Sequence, residues 1–239
     1  MIQSAARHGK SLKRFVLTGS IIVETLSQMD PATFQDEISE DDFAELSLET
    51  ARQTGDPMVC YTAAKLAASD LLFATAAKPE VHWDAVELLP AGTCGPLVHA
   101  PPDLAAGSHS LDWAHNILSG KWTEVPPVPM FQIVDVRDLA YAHVLALTAE
   151  GAANQSINIV NADSFYSHQV LVNVIRDKYP ELRGSVVEGT PDVLVPRGMK
   201  PYRIMNEKSK KVFGDALRYR NDEATYSDYI ESVWKAMKH

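Results

Sequence analysis

The sequence predicts an α/β fold with parallel strands, and three observations carry that expectation. The run Arg14–Thr18, a long helix-forming stretch and the run Ala85–Leu89 follow one another as strand, helix and strand, the order of a right-handed parallel crossover. The alternation then recurs, with strand-like Phe131–Val134, helix-like Leu139–Thr148 and strand-like Ser156–Val160. Finally, 239 residues, 46% apolar and 22% charged, can bury a sizeable core without disulfides or metals.

Each element has a local reason. Met1 to Arg14 carries Arg7, His8, Lys10, Lys13 and Arg14 without an acid, a pattern shared by transit peptides. The other reading is a helix end, with Ile2, Ala5 and Ala6 apolar, Gly9 as the stop and cations complementing the dipole. Arg14–Thr18 is a short buried strand ending in Gly19 and Ser20. Residues 24–56 are acidic and irregular, and read as a solvated loop with one short helix; Glu37, Glu40, Asp41, Asp42, Glu45 and Glu49 need no functional explanation there.

Val59–Ala77 is rich in helix formers and apolar nearly all round, so a helix buried on most of its surface is expected, closed by Pro79. Ala85–Leu89 is a strand broken by Pro90, and Gly92–Pro96 is a turn-rich stretch after it. A helix is expected at Leu111–Leu118 and a turn at Val125–Pro129. Asp135 or Asp138 caps the helix Leu139–Thr148. Ser167–Tyr179 is an amphipathic helix stopped by Pro180, and Ala224–Met237 another, whose Tyr226, Tyr229, Ile230, Val233 and Trp234 share a packing side.

Charge and composition remove several classes of function. A net charge of −9 repels polyanions, which argues against a nucleic-acid partner. No apolar run approaches the ~18 residues of a membrane helix, so no membrane partner is expected. Two cysteines, Cys60 and Cys94, lack metal-ligand spacing and point to a reduced, cytoplasmic setting, with Cys94 read as a small apolar residue. His99, His109 and His115 show no metal spacing, so no metal site is expected. The twelve glycines include no G-x-G-x-x-G, G-x-x-G-x-x-G or G-x-x-x-x-G-K-[ST] loop, and the nearest pair is Gly92 and Gly95.

The candidate constellation is Ser20, Tyr61 and Lys65. Tyr61 and Lys65 stand four apart on a helix, so both face one side, one turn apart. A cation beside a phenol favours phenolate, and such a tyrosine can donate a proton to a carbonyl oxygen as hydride reaches the carbon. Ser20, ending a neighbouring strand, could hold the same oxygen. Alone the pair is weak: chance supplies about 0.4 such Y-x-x-x-K spacings in this composition, and an exposed helix pair is the plainer reading.

Segment order adds to it. Lys13-Arg-Phe-Val-Leu-Thr-Gly-Ser20, the Tyr61–Lys65 pair, Leu89-Pro-Ala-Gly-Thr-Cys-Gly-Pro96, Val134-Asp-Val-Arg-Asp-Leu-Ala-Tyr-Ala-His-Val-Leu-Ala-Leu147 and Asn206-Glu-Lys-Ser-Lys-Lys-Val-Phe-Gly214 span nearly the whole chain. In that order they resemble the extended short-chain dehydrogenase/reductase family of the NAD-dependent epimerase/dehydratase superfamily, in the branch of dihydroflavonol and methylglyoxal or aldehyde reductases. The resemblance implies Ser20 as the carbonyl-binding serine and Tyr61 as the catalytic acid. Tyr61 and Lys65 would also contact NADP, Lys65 holding the nicotinamide ribose, and backbone from Pro90 to Thr93 would face the nicotinamide. Asp135, Asp138 and His143 are family-typical but read as structural.

The implied fold is an incomplete Rossmann-type parallel sheet with a small C-terminal substrate-binding lobe. Residues 1–98 and 130–162 would be the C-terminal half of the Rossmann-type domain, and 99–129 and 163–239 the lobe. Two departures stand out within the motifs: Gly19 replaces a serine, and Ala64 replaces another before the lysine. In the family the dinucleotide fingerprint precedes the strand that here begins at Arg14, so that half is expected to be missing. A bare sheet edge and face would then call for dimerisation or another covering partner.

The implied activity is NADPH-dependent reduction of a small-molecule ketone or aldehyde to an alcohol, with secondary-metabolite intermediates among the family's substrates. A non-redox lyase, isomerase or cyclase on the same scaffold is the alternative, and a catalytically silent fragment is another.

Overall fold

The computed structural model describes residues 1–99, 101, 104, 109–128 and 131–238, without the side chains of Met29, His109, Ser110 and Leu111. Pro129, with which the expected turn ends, and the side chains of His109 and Leu111 thus lie outside the described residues.

In chain order the elements are α1 (Ile2–His8), β1 (Arg14–Thr18), α2 (Ile22–Thr25), β2 (Glu37–Ile38), α3 (Leu48–Thr54), α4 (Pro57–Ala76), β3 (Asp84–Pro90) and β4 (Gly92–Cys94). There follow α5 (His109–Leu118), β5 (Ile133–Asp135), α6 (Val136–Ala146), β6 (Gln155–Ile159), α7 (His168–Lys178), β7 (Arg203–Ile204), α8 (Glu207–Phe213) and α9 (Asp222–Ala236).

These form two compact units. The first comprises Met1–Ala91, Leu139–Val160 and Ile204–Arg218; the second comprises Gly92–Asp138, Asn161–Arg203 and Tyr219–His239. The sequence reading places its boundaries at 98/99, 129/130 and 162/163. The difference has a physical origin. β4 and β5 pair with each other in parallel, Thr93 opposite Val134, and both strands enter the second unit. In the opposite sense, Asn206 Nδ2 donates to Val160 O and Lys208 Nζ to Ser156 O, which fastens α8 to β6 in the first unit.

The first unit is built on the parallel sheet β1–β3–β6. β3 is the central strand, with Val16 opposite Val86 and Leu88 opposite Ile157, and it is buried from Ala85 through Pro90. Pro90 does not end the sheet, because the ladder continues through Ala91 N to Ile159 O at 3.2 Å. The Gly92–Pro96 stretch, expected as a turn, therefore begins with β4. The break comes at Gly95, whose φ of +140° suits glycine and whose absent Cβ would stand 2.7 Å from Val136 Cγ1.

Arg14 anchors the start of β1. Its guanidinium pairs with Asp84 across the strands and donates to Ala146 O and Ala149 O, both at 2.7 Å, which stops the end of α6. α1 is a helix ending at Gly9, and Ile2, Leu72, Trp83 and Ala85 form the core beneath it.

α4 starts two residues before the sequence reading puts it, because Asp56 accepts from Met58 N and Val59 N and Pro57 fits the first helical position. Its burial is less than expected. Thr62, Ala63, Leu66, Ser69, Leu72 and Thr75 are buried, while Tyr61 and Leu71 are exposed. Alanines make the run apolar without requiring burial.

The acidic segment is not wholly solvated either. Glu24 is fully buried and its Oε2 accepts from Asn158 Nδ2 at 3.0 Å. Glu40, whose side chain is 5% exposed, accepts at 2.7 Å from Asn158 N on β6. Both therefore serve the fold.

The second unit packs α5, α7 and α9 around Trp113, Ile117, Tyr166, Leu171, Ile175 and Ile230. Tyr226 donates to Phe165 O and Tyr229 accepts from Ala114 N, so the aromatic side of α9 is packing. No described helix is long and apolar enough to cross a membrane.

Burial raises the Glu24 carboxyl well above the usual carboxylate range, with Glu40 and Asp42 adding to it. A raised folded value means that its contribution to stability is complete below the unfolded value and is lost as pH rises through the folded one. Glu24→Gln is therefore expected to match the wild type in urea at about pH 4. At pH 8 it should exceed it by about 1 kcal/mol or more, and equal midpoints at pH 8 would refute the assignment.

Candidate active site

Four of the predicted site residues, Ser20, Tyr61, Lys65 and Pro90, fall in the first unit, and Thr93, half-buried on β4, falls in the second. Lys65 is the best-fixed of them. Its Nζ donates to Thr18 O and Gly19 O, both at 3.1 Å, so an ammonium carried by α4 grips the carboxyl end of β1. The same Nζ lies 5.7 Å from the centre of the Tyr61 ring, one helical turn earlier. Tyr61 itself is 46% exposed.

Ser20 follows the gripped peptide directly. Its half-buried Oγ accepts from Ile22 N at 3.3 Å, a long bond that leaves the hydroxyl proton unspent. Pro90, at the end of the adjacent β3, accepts from Ile21 N at 3.2 Å. The strand ends of β1 and β3 thus carry Ser20 and Pro90 side by side, as a carboxyl-edge site in an open parallel sheet requires.

Two groups here lie outside the predicted site residues, the first read from the sequence as structural and the second passed over. His143, on α6, meets Thr18 Oγ1 through Nε2 at 2.7 Å and Leu139 O through Nδ1 at 2.9 Å. Because a carbonyl can only accept, Nδ1 carries the proton and Nε2 accepts from the threonine. The second is Glu87, fully buried at the middle of β3. Its Oε2 accepts from Ser69 on α4 at 2.7 Å and Ser156 on β6 at 2.9 Å. A Cβ at Gly19 would lie 2.6 Å from Glu87 Oε1 and from Leu89 Cδ2, so glycine there makes room for the carboxyl. The signal was one acid inside the otherwise apolar run Ala85–Leu89.

Other polar residues are structural. Asp135 accepts from Arg137 N and from Thr225 Oγ1 and pairs with the Arg137 guanidinium, which also reaches Asp228 at 2.7 Å. Asp138 accepts from Arg220 N and pairs with its guanidinium. Burial pushes the Cys94 thiol far up, with Asp135 and Asp222 adding to it, so Cys94 is inert. Among the described residues no group of three His, Cys, Asp or Glu is placed to hold a metal ion. A cavity of about 480 Å³ lies within the second unit between Pro126, Gln169 and Arg197, and contains none of the predicted site residues.

Comparison with known proteins bears on this geometry. The model of the NAD dependent epimerase/dehydratase family matches residues 3–160. Ketoreductase azaE of Aspergillus niger is 29% identical over 98% of this chain and 66% of its own length. The chain spans about two thirds or less of the curated relatives it matches, 66, 66 and 56% of the first three. Among solved structures, Gre2 of Candida albicans in complex with NADPH is 26% identical with a TM-score of 0.80, covering 98% of this chain and 68% of that one. Yeast methylglyoxal/isovaleraldehyde reductase Gre2 complexed with NADPH shares the fold, at a TM-score of 0.83 and 21% identity, over 99% of this chain and 68% of that one.

Gly19→Ser is expected to cost about 1–3 kcal/mol by crowding Glu87 and Leu89. Combined with Glu87→Thr, it should show a favourable coupling of at least about 0.5 kcal/mol in a urea double-mutant cycle. Strictly additive losses would remove the link between the two positions.

Proposed function

The chain belongs to the NAD dependent epimerase/dehydratase family, and on that premise we propose that it carries out NADPH-dependent reduction of a small ketone or aldehyde to an alcohol. The observation that carries this reading is the grip of Lys65 on Thr18 O and Gly19 O, with Tyr61 beside it and Ser20 next along the chain. The carbonyl relatives, among them the ketoreductase of Aspergillus niger, support the reaction class. A place in secondary-metabolite biosynthesis rests on the resemblance to that branch alone.

In this reading the hydride for the carbonyl carbon would come from NADPH when it is bound. Ser20 Oγ donates to the carbonyl oxygen and fixes its position. Tyr61 Oη delivers a proton to that oxygen, completing the alcohol, and is reprotonated from solvent on its exposed side. Lys65 has three protons and spends two on the strand-end carbonyls, which leaves one for a ribose hydroxyl. With the backbone of Pro90 in the same unit, it would hold the nicotinamide end. The 239 residues contain no glycine-rich loop for the pyrophosphate. Among the described residues β1 is paired on one side only, and Tyr141 and Val144 of α6 and Leu147 just after it are exposed. Both features support a second copy or another covering partner.

The test is NADPH fluorescence titration of the protein, followed by NADPH consumption with methylglyoxal and isovaleraldehyde as probes. Saturable binding and carbonyl-dependent consumption are expected. Tyr61→Phe should lower kcat about 100-fold or more while leaving NADPH affinity within about 2-fold of the wild type. Unchanged turnover in Tyr61→Phe would refute the acid. Conversion of a carbonyl compound without NADPH consumption would favour the non-redox reading.

A further inference from the structure

Glu87 is a costly residue in a fully buried position, and its surroundings connect it to the proposed acid pair. Through Ser69 its carboxylate is tied to α4 four residues, one turn, beyond Lys65. Through Ser156 it is tied to β6. Its Oε1 has no hydrogen-bond partner among the described residues and stands over the Gly19 peptide, where a Cβ would be only 2.6 Å away. The Gly19 carbonyl is one of the two that Lys65 Nζ holds. An ammonium and a carboxyl thus flank one peptide, the carboxyl fully buried where charges interact more strongly than in water.

We propose that Glu87 is a positioning residue for Lys65 and, through it, for Tyr61: it holds the helix by Ser69 and supplies a counter-charge behind the peptide that Lys65 grips. The proposal rests on the reductase reading for its catalytic consequence, but not for the coupling itself. Burial raises the Glu87 carboxyl above the usual range, while Ser69, Ser156 and the Lys65 ammonium oppose that rise. The charged groups facing it are Lys65 and Asp70, both on α4. β1 presents the uncharged Thr18–Gly19 segment, and β6 presents Ser156, whose carbonyl accepts from Lys208 Nζ.

The experiment has two arms. In the first, carboxyl ¹³C NMR follows the titration of Glu87 in the wild type and in Lys65→Met, with Lys65→Gln as the substitute if the first does not fold. Removing the ammonium should raise the Glu87 midpoint by about half a pH unit or more, and linkage makes the influence reciprocal. A change under about 0.2 unit overturns the proposal whether or not the protein reduces carbonyls. In the second arm, Glu87→Gln keeps an acceptor oxygen for both serines and removes the charge. It should lower kcat between about 3-fold and 100-fold with the carbonyl KM little changed, and an unchanged kcat in an active enzyme also overturns it. If the wild type shows no turnover, the reductase reading falls, and the NMR arm still decides the coupling.

Discussion

The burial of β3 on both faces is the constraint on which the first unit depends. With β1 on one side and β6 on the other, Val86, Leu88 and Leu89 are removed from water entirely, and that apolar burial supplies the main driving force for the sheet. A strand so placed can tolerate an acid only if the acid is hydrogen-bonded, and Glu87 is held by one hydroxyl from the covering helix and one from the neighbouring strand. Where the carboxyl meets the neighbouring strand end the residue must be small, which Gly19 is. The strand end that carries Ser20 and receives Lys65 takes its shape from that accommodation.

Buried carboxylates recur elsewhere in this acidic chain, with partners suited to each. Glu24 has an amide, Asn158, and among the described residues no ion-pair partner, and burial holds it toward its neutral form. Asp135 in the second unit has two hydrogen-bonding partners besides the Arg137 guanidinium, and these keep its carboxyl below the usual range. The contrast follows the chemistry of the partner: an amide solvates a carboxylate weakly, whereas a guanidinium compensates its charge. In both units the acids fasten segments distant in sequence, residue 24 to 158 and residue 135 to 225.

The legible part of the fold was the part set by local pattern. Arg14–Thr18 is a strand over the expected residues, and Ser167 caps α7 as its position before the amphipathic run suggests. The aromatic side of α9 is packing because Tyr226 and Tyr229 stand where helical periodicity puts them. What periodicity could not reveal was pairing. Gly92–Cys94 looks like a turn until β5 lies beside it, and a three-residue strand has too few positions to show a period. Glu24 and Glu40 look solvated because their burying partners, Asn158 and Lys208, lie more than a hundred residues further on.

The sequence by itself determined which residues form the candidate site. The four-residue spacing of Tyr61 and Lys65 and the strand ending at Ser20 are local facts, fixed by helix and strand geometry. Only the tertiary structure decided what Lys65 holds and what stands behind it. Its grip on Thr18 O and Gly19 O spans more than forty residues of chain, and the Glu87 carboxyl reaches that same peptide from a third element. Such contacts depend on which strands become neighbours, and strand order in a parallel sheet is settled by the burial of whole surfaces, which no local spacing encodes.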